Sequence, residues 1–509
     1  MISIALSTFS TAMNGDLVCD DLMKTFEINN VVTDSREFKL QQTAEKQSAF
    51  LALKGPNFDG HLFAQQVIDD GCQVLVVDHK IENIDSNKVA QIIVDDTRIA
   101  LGKIGAYVKQ QVAPKTIGIT GSSGKTTVKE MIAAILSRLG NVLATNGNFN
   151  NDIGVPLTLL RLEDKHAFAV IEMGANHMGE IAYTTELVKP DVAMINNIAA
   201  AHLEGFGDLC GVARAKGEIF SGLPSNGVAL YNHDTQYAEK WQWRLTDKQV
   251  RTFSCAQASD AKTSSHADCY SENVSLDENG CASFALQSSL GQCVIKLPIP
   301  GKHNVCNAVA AAAVAIECGA TLKDIQLGLA DMAPVKGRLN IHHLAETKVS
   351  NEIRLIDDTY NANVDSIKAA VALLASYSGK RILVLGDMGE LGSDASLYHQ
   401  EIGTYAKDLG IDALLTLGTL SQNTKEAFAL NNNAISEHFE NKDTLKAYLV
   451  NLLVNENNTG QKNKVLVKGS RSAHMENVVE DVLNWHATQQ QQDQVLNEST
   501  LSSHKKDNA

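Results

Sequence analysis

No stretch of 18 consecutive apolar residues occurs in the 509-residue chain, so no membrane-spanning helix is expected. The first residues lack a basic segment followed by a long apolar one, so no secretory signal is expected either. The nine cysteines are scattered singly, with no Cys-x-x-Cys pair, which argues against a zinc site or a redox motif. They read as buried thiols in a reducing compartment, and the protein is expected to be cytoplasmic. Positive charge is also short: 44 basic against 59 acidic residues give −15, which disfavours a bulk nucleic-acid binder. A local patch can still meet an anionic small molecule. No repeat of fixed period is visible.

The length predicts about three domains. Residues 1–110 form a mixed α/β block with apolar runs at Phe50–Leu53 and Val74–Val77. Residues 111–335 open with an expected strand, Thr116–Thr120, a glycine-rich turn and a helix whose apolar residues fall at helical spacing. Expected strands at Ala169–Met173 and Val192–Asn196 follow, then a region rich in short strands, then an alanine-rich helix from Asn304 to Cys318. Residues 336–485 alternate strands (Arg354–Asp357, Arg381–Leu385, Ala413–Leu417, Lys464–Val467) with helices such as Asp365–Ser376, which implies a largely parallel sheet. Three of these strands run into Gly386, Gly418 and Gly469, so their carboxyl ends are candidate binding edges. Residues 486–509 hold a glutamine run and a polar end, and are expected to be a disordered tail.

The strongest local signal is Gly121-Ser122-Ser123-Gly124-Lys125-Thr126-Thr127 between an expected strand and helix. That is the setting of a phosphate loop: backbone N–H groups and a helix start favour phosphate, Lys125 neutralises charge and Thr126 can ligate Mg²⁺. The first glycine of the usual pattern would fall at position 119, where Ile119 stands. A guanine-reading Asn-Lys-x-Asp is absent; Asn441-Lys442-Asp443-Thr444 fails at its last position, so ATP is the expected nucleotide. Glu172 ends an expected strand beside the loop and can hold Mg²⁺, although a strand-terminal glutamate is as often merely solvated. His202 and Lys216 are further candidates; the bland readings are a satisfied histidine and a surface lysine.

These residues, with Thr145–Pro156, Glu172–Ile181, His202–Gly207, Lys216–Glu218, Gly301–Ala308, Gly337–Asn340, Asp357–Asn363 and Leu385–Gly392, follow an order that resembles the Mur ligases across nearly all of residues 1–485. The resemblance implies three domains: a UDP-substrate domain, a central ATPase domain with a parallel sheet, and a Rossmann-like C-terminal domain. Within the family, Thr33–Arg36, Phe50–Gly55 and Phe58–His61 resemble the first domain shared by the last two ligases of the series. The diamino-acid-adding branch typically carries Asp-Asn-Pro-Arg, absent here, while Gly386–Gly392 matches the branch that adds D-Ala-D-Ala.

The resemblance therefore implies an ATP- and Mg²⁺-dependent ligase joining D-Ala-D-Ala to UDP-MurNAc-tripeptide through an acyl phosphate. Diamino-acid addition and a P-loop phosphotransferase are the alternatives. It implies metal near Thr126, Glu172, His202 and Lys216, with Lys216 a candidate for carbamylation, and Arg338 reaching the phosphates. Adenine would meet His303, Asn304 and Asn307, with Asp358 and Tyr360 on the nucleotide's other side. The UDP end would meet Ser35, Arg36, Lys54, Phe58, Asp59, Gly60 and His61, and Asn148, Asn151 and Asp152 would contact substrate or intermediate rather than only shape a turn. The expected partners are these small molecules, with no nucleic acid, and the chain is expected to be monomeric.

Overall fold

The computed structural model describes residues 1–41, 46–254, 267–431, 434–455 and 461–506. Three large sheets follow one another along the chain. The first runs, in spatial order, Asp16–Val18, Ala90–Ile93, Val74–Val77, Ser48–Leu51 and Asn30–Val32. Only the Asp16–Val18 edge is antiparallel. Buried on both faces, Val74–Val77 reads as an unbroken apolar run rather than an alternation.

The second sheet has nine strands. Seven are parallel, in the order Asn141–Ala144, His166–Glu172, Lys115–Thr120, Val192–Ile195, Val228–Asn232, Gln249–Ser254 and Cys269–Leu276. Cys281–Ser288 and Gly291–Pro300 extend it antiparallel, as the strand-rich reading of this region anticipated. The third sheet pairs Asn340–Leu344 antiparallel with Ile353–Asp358. It continues in parallel through Asn463–Lys468, Lys380–Gly386, Ala413–Leu417 and Ile435–Phe439. The Rossmann-like expectation holds here: parallel neighbours need crossovers, supplied by helices such as Val364–Ser376 and Ala395–Asp408.

The cores do not divide as the sheets do. One apolar cluster unites Leu6, Phe9, Leu51 and Ile92 of the first unit with Val155, Leu159, Ala169 and Ile171 of the second. Helix Thr97–Val112 is the bridge: a Cβ on its Gly105 would lie 3.0 Å from the Pro156 carbonyl, and Arg98 pairs with Asp152 at 2.7 Å. Among the described residues no cluster joins the second and third units; they meet through polar contacts. The central hairpin turn offers Asn279, whose carbonyl accepts from the Tyr377 hydroxyl at 2.7 Å and whose side chain accepts from Arg354 at 2.9 Å.

Two expectations are corrected. The segment expected as a disordered tail continues one helix, Glu476–Lys506. No glycine or proline interrupts it, and its Gln, Glu, Leu and Ala residues favour helix. His486 reaches the Ala345 carbonyl at 2.8 Å, and Asp493 accepts from the Lys348 N–H at 2.8 Å. Residues 507–509 lie outside the described residues. The cysteines are not uniformly buried thiols: Cys210 is exposed and Cys306 is disulfide-bonded. Among the described residues no helix is long and apolar enough to cross a membrane.

The glycine-ended strands of the third unit explain part of a motif. Asp387, just beyond Lys380–Gly386, accepts N–H bonds from Thr419, Leu420 and Ser421 at 3.0, 3.2 and 2.7 Å, holding the start of helix Ser421–Ala429. Charge-assisted caps of this kind contribute about 2 kcal/mol together. Asp387→Ala is expected to lower the thermal midpoint of the C-terminal unit by roughly 4–8 °C, read by differential scanning calorimetry.

Candidate active site

Strand ends from two sheets face one cavity of about 510 Å³. Its floor is the glycine turn. Gly121 and Gly124 have φ of +152° and +74°, and a Cβ on Gly124 would meet Asn307 and Asn196 at 2.6 and 2.7 Å. Asn197 shapes the turn: its Oδ1 accepts from the Ser122 and Ser123 N–H groups at 3.1 and 2.9 Å. Those two donors are thus committed internally. The unpaired N–H groups at the start of helix Lys125–Leu136, beginning with Lys125, Thr126 and Thr127, are what the turn offers an anion. Lys125 bonds the Gly121 carbonyl at 2.8 Å. Withdrawal from bulk water lowers its pKa, and Glu172 works against that shift.

Glu172 closes the neighbouring strand, opposite Ile119 in register, and is 2% exposed. Asn150 donates to its Oε1 at 2.8 Å, while its Oε2 is buried without a partner. A buried carboxylate oxygen left open, on a cavity that the Thr126 hydroxyl also lines, suits a hard cation. Arg338 comes from the third unit's side of the cavity. It donates to Thr126 Oγ1 at 3.2 Å, lies 4.5 Å from the Tyr360 ring centroid, and keeps its buried Nε unpartnered.

His202 also lines the cavity, in a left-handed conformation, with Nδ1 2.5 Å from Glu390 Oε2 of the third unit. Lys216 lies behind the cavity wall rather than on it. The surface-lysine reading fails: it is 1% exposed, its amine has no hydrogen-bond partner, and it stands 5.3 Å from the Phe206 ring centroid. Burial, reinforced by Lys125, brings its pKa down to about 7 against the pull of Glu180, Glu218 and Glu172.

On the alanine-rich helix, observed at His303–Glu317, His303 lines the cavity. Asn304 and Asn307 line it too, but hold each other: Asn307 Nδ2 donates to Asn304 Oδ1 at 2.9 Å, and Asn304 Nδ2 to the Pro300 carbonyl at 2.7 Å. Asp358 pairs with buried Lys468 at 2.6 Å, so its carboxylate is committed within the protein. Asn148 and Asn151 line the cavity. Asn151 also does turn work, accepting the Gly154 N–H at 2.8 Å, and Asp152 is held by Arg98.

The first-unit candidates do not reach this cavity. Ser35 is buried at the start of helix Ser35–Gln41, and exposed Arg36 is paired with Asp34 at 2.6 Å. Lys54 and Phe58 are exposed, with Phe58 stacked on Phe63 at 5.7 Å. Asp59, Gly60 and His61 build the turn itself. Asp59 Oδ1 accepts from the His61 N–H and faces His61 Nδ1 at 2.6 Å, and His61 Nε2 lies 3.0 Å from the Asp78 N–H. A side chain at Gly60 would lie 2.9 Å from the Leu53 carbonyl.

Sequence reasoning missed Asn150, Asn196, Asn197, Glu390, Lys468 and Arg471, all on or beside the cavity. Asn150 and Glu390 stood inside quoted motifs. Asn196 and Asn197 follow a strand adjacent to the phosphate-loop strand, a position that the carboxyl-end rule marks.

Residues 119–315 match the Mur ligase middle domain, and residues 337–471 match the Mur ligase, glutamate ligase domain. The chain belongs to the Mur ligase family. This Mur ligase is 46% identical over 479 residues to UDP-N-acetylmuramoyl-tripeptide–D-alanyl-D-alanine ligase of Escherichia coli (strain K12), covering 94% of this chain and 98% of that one. The Bacillus subtilis (strain 168) protein of the same name is 34% identical, with 95% and 99% covered. Among solved structures, MurF from Acinetobacter baumannii superposes with a TM-score of 0.84 at 37% identity, covering 95% of this chain and 99% of that one. MurF ligase from Thermotoga maritima in complex with ADP gives 0.76 at 25% identity, with 90% and 98% covered. The three sheets are thus those of a three-domain Mur ligase.

Proposed function

We propose that this Mur ligase joins D-alanyl-D-alanine to UDP-MurNAc-tripeptide at the expense of ATP, completing UDP-MurNAc-pentapeptide for peptidoglycan. The observation that carries the reading is the 46% identity along 94% of the chain to a ligase of that name. The cavity between a phosphate loop and the third domain supports it.

The chemistry needs both halves of the cavity. A carboxylate is a poor electrophile, so the γ-phosphoryl group of ATP first moves onto the tripeptide's terminal carboxylate, leaving ADP. The dipeptide amine then attacks the acyl carbon; the C–O bond to phosphate breaks, the C–N bond forms, and the amine's proton departs. The first step brings two anions together, and Lys125, Arg338 and the helix start supply the opposing charge. The residues fit Mg²⁺: Thr126 and Glu172 would hold it, with His202 and, once carbamylated, Lys216 serving a second ion. Bound there, the metal would neutralise charge on the transferring phosphoryl group. His303, Asn304, Asn307, Tyr360 and Asp358 would surround the nucleoside. Ser35, Arg36, Lys54 and the Phe58–His61 turn would receive the UDP end, and Asn148, Asn151 and Asp152 the peptide end. A reaction that draws on ATP and a nucleotide-activated precursor would run in the cytoplasm, and the chain would act as a monomer.

Phosphate release is the test. It is expected only when ATP, UDP-MurNAc-tripeptide and D-Ala-D-Ala are all present. Steady ADP release without acceptor, or turnover with meso-diaminopimelate and the matching dipeptide precursor instead, would overturn the reading.

A further inference from the structure

We infer that Arg471 is the residue that recognises the free carboxylate of the incoming dipeptide. The inference rests on the acceptor being a dipeptide, as proposed above, and names the group that selects it. An acceptor with an amine at one end and a carboxylate at the other needs a cation in the same cavity, away from the phosphate loop.

The cavity offers few cations. Lys125 and Arg338 stand on the phosphate side, Arg338 touching Thr126. Lys468 is 2% exposed and neutralised by Asp358 at 2.6 Å. Arg471 lines the same cavity from the third domain, three residues beyond the strand Asn463–Lys468, and its side chain is 58% exposed.

Its guanidinium is held on one edge only. Nη1 meets Glu476 Oε1 at 3.0 Å, and among the described residues Nη2 and Nε make no hydrogen bond. A guanidinium steadied by one carboxylate, with its other donors open, is arranged to take a second carboxylate through parallel N–H bonds. The backbone is fixed as well: the Arg471 N–H points to Asn361 Oδ1 at 3.4 Å, and the short helical turn Arg471–Ala473 ends at His474 in a left-handed conformation. The fold thus fixes where the side chain leaves the backbone, and Glu476 holds one edge of its guanidinium.

The test pairs the residue with the ligand group it should read. Arg471→Met is expected to lower kcat/KM for D-Ala-D-Ala roughly 10- to 100-fold, through KM. It should leave kcat/KM for D-alanyl-D-alanine amide, which lacks the carboxylate, at the wild-type level for that poorer acceptor, and leave KM for ATP unchanged. Arg471→Lys keeps the charge but not the fork, so it should restore part of the difference between acid and amide; it also decides the matter should the methionine variant fail to fold. Equal losses with both acceptors, a raised KM for ATP, or no loss with D-Ala-D-Ala would each overturn the assignment. A wild-type enzyme that ignores D-Ala-D-Ala would instead defeat the function proposed above.

Discussion

Lys125→Met is expected to lower kcat by about 10²–10³ while leaving the affinity for the UDP substrate unchanged. The reason is the charge balance of the first step. A carboxylate must approach a triphosphate, and the repulsion grows as the bond forms. Lys125 stands at the first position of the helix that ends the phosphate loop, where fixed N–H groups and one mobile cation meet the same anion. Lys125 is partly withdrawn from bulk water, so solvent screening replaces a missing charge there only in part. Little stability should be lost, because the amine's partner is a single loop carbonyl, that of Gly121. Single-turnover transfer of the γ-phosphoryl group isolates the step. A variant that forms acyl phosphate at the wild-type rate would remove Lys125 from this role.

Lys216→Met should abolish or nearly abolish turnover and, at the same time, make the protein more stable. The two effects have separate causes. The amine is buried without a hydrogen bond, a costly state that methionine of similar volume relieves. In the unfolded chain this lysine keeps its proton to about pH 10.5, whereas in the fold it releases it near 7. Between those values the unfolded state binds more protons, so wild-type stability rises with pH there. The advantage of the methionine variant should therefore grow as pH falls from about 10.5 to 7, and level off below 7. Melting curves of both proteins at pH 7 and 9, in CO₂-free buffer so that the amine is unmodified, measure this. A variant less stable than wild type at pH 7 would mean that the amine has a partner in solution. The expected loss of turnover rests on the carbamate proposed above: near neutral pH the unprotonated amine is open to CO₂, and methionine cannot form the carbamate.

Much of the fold was legible because its strands are short apolar runs bounded by turn residues. Val74–Val77 and Ala413–Leu417 came out with the bounds read from the sequence, and the strand into the phosphate loop began one residue earlier, at Lys115. The helical end was misread because a glutamine run looks like low complexity, although glutamine is a good helix former when nothing breaks the chain. At the site, the residues of the glycine turn were legible because their spacing is local. Lys216, Arg471 and Asn197 were harder, since their significance lies in burial or in partners distant in sequence. No periodicity separates a lysine at 1% exposure from one on the surface.

The core shared by the first two units has a mechanical consequence. Parting them would open apolar surface around Leu51, Ala169 and Ile171, whereas the third unit is joined by contacts such as Arg338–Thr126, His202–Glu390 and Tyr377–Asn279. Polar pairs exchange readily with water, and apolar cores do not. Three sheets therefore make two bodies: a stiff pair that carries the phosphate loop, and a third unit hinged against it by contacts that water can replace.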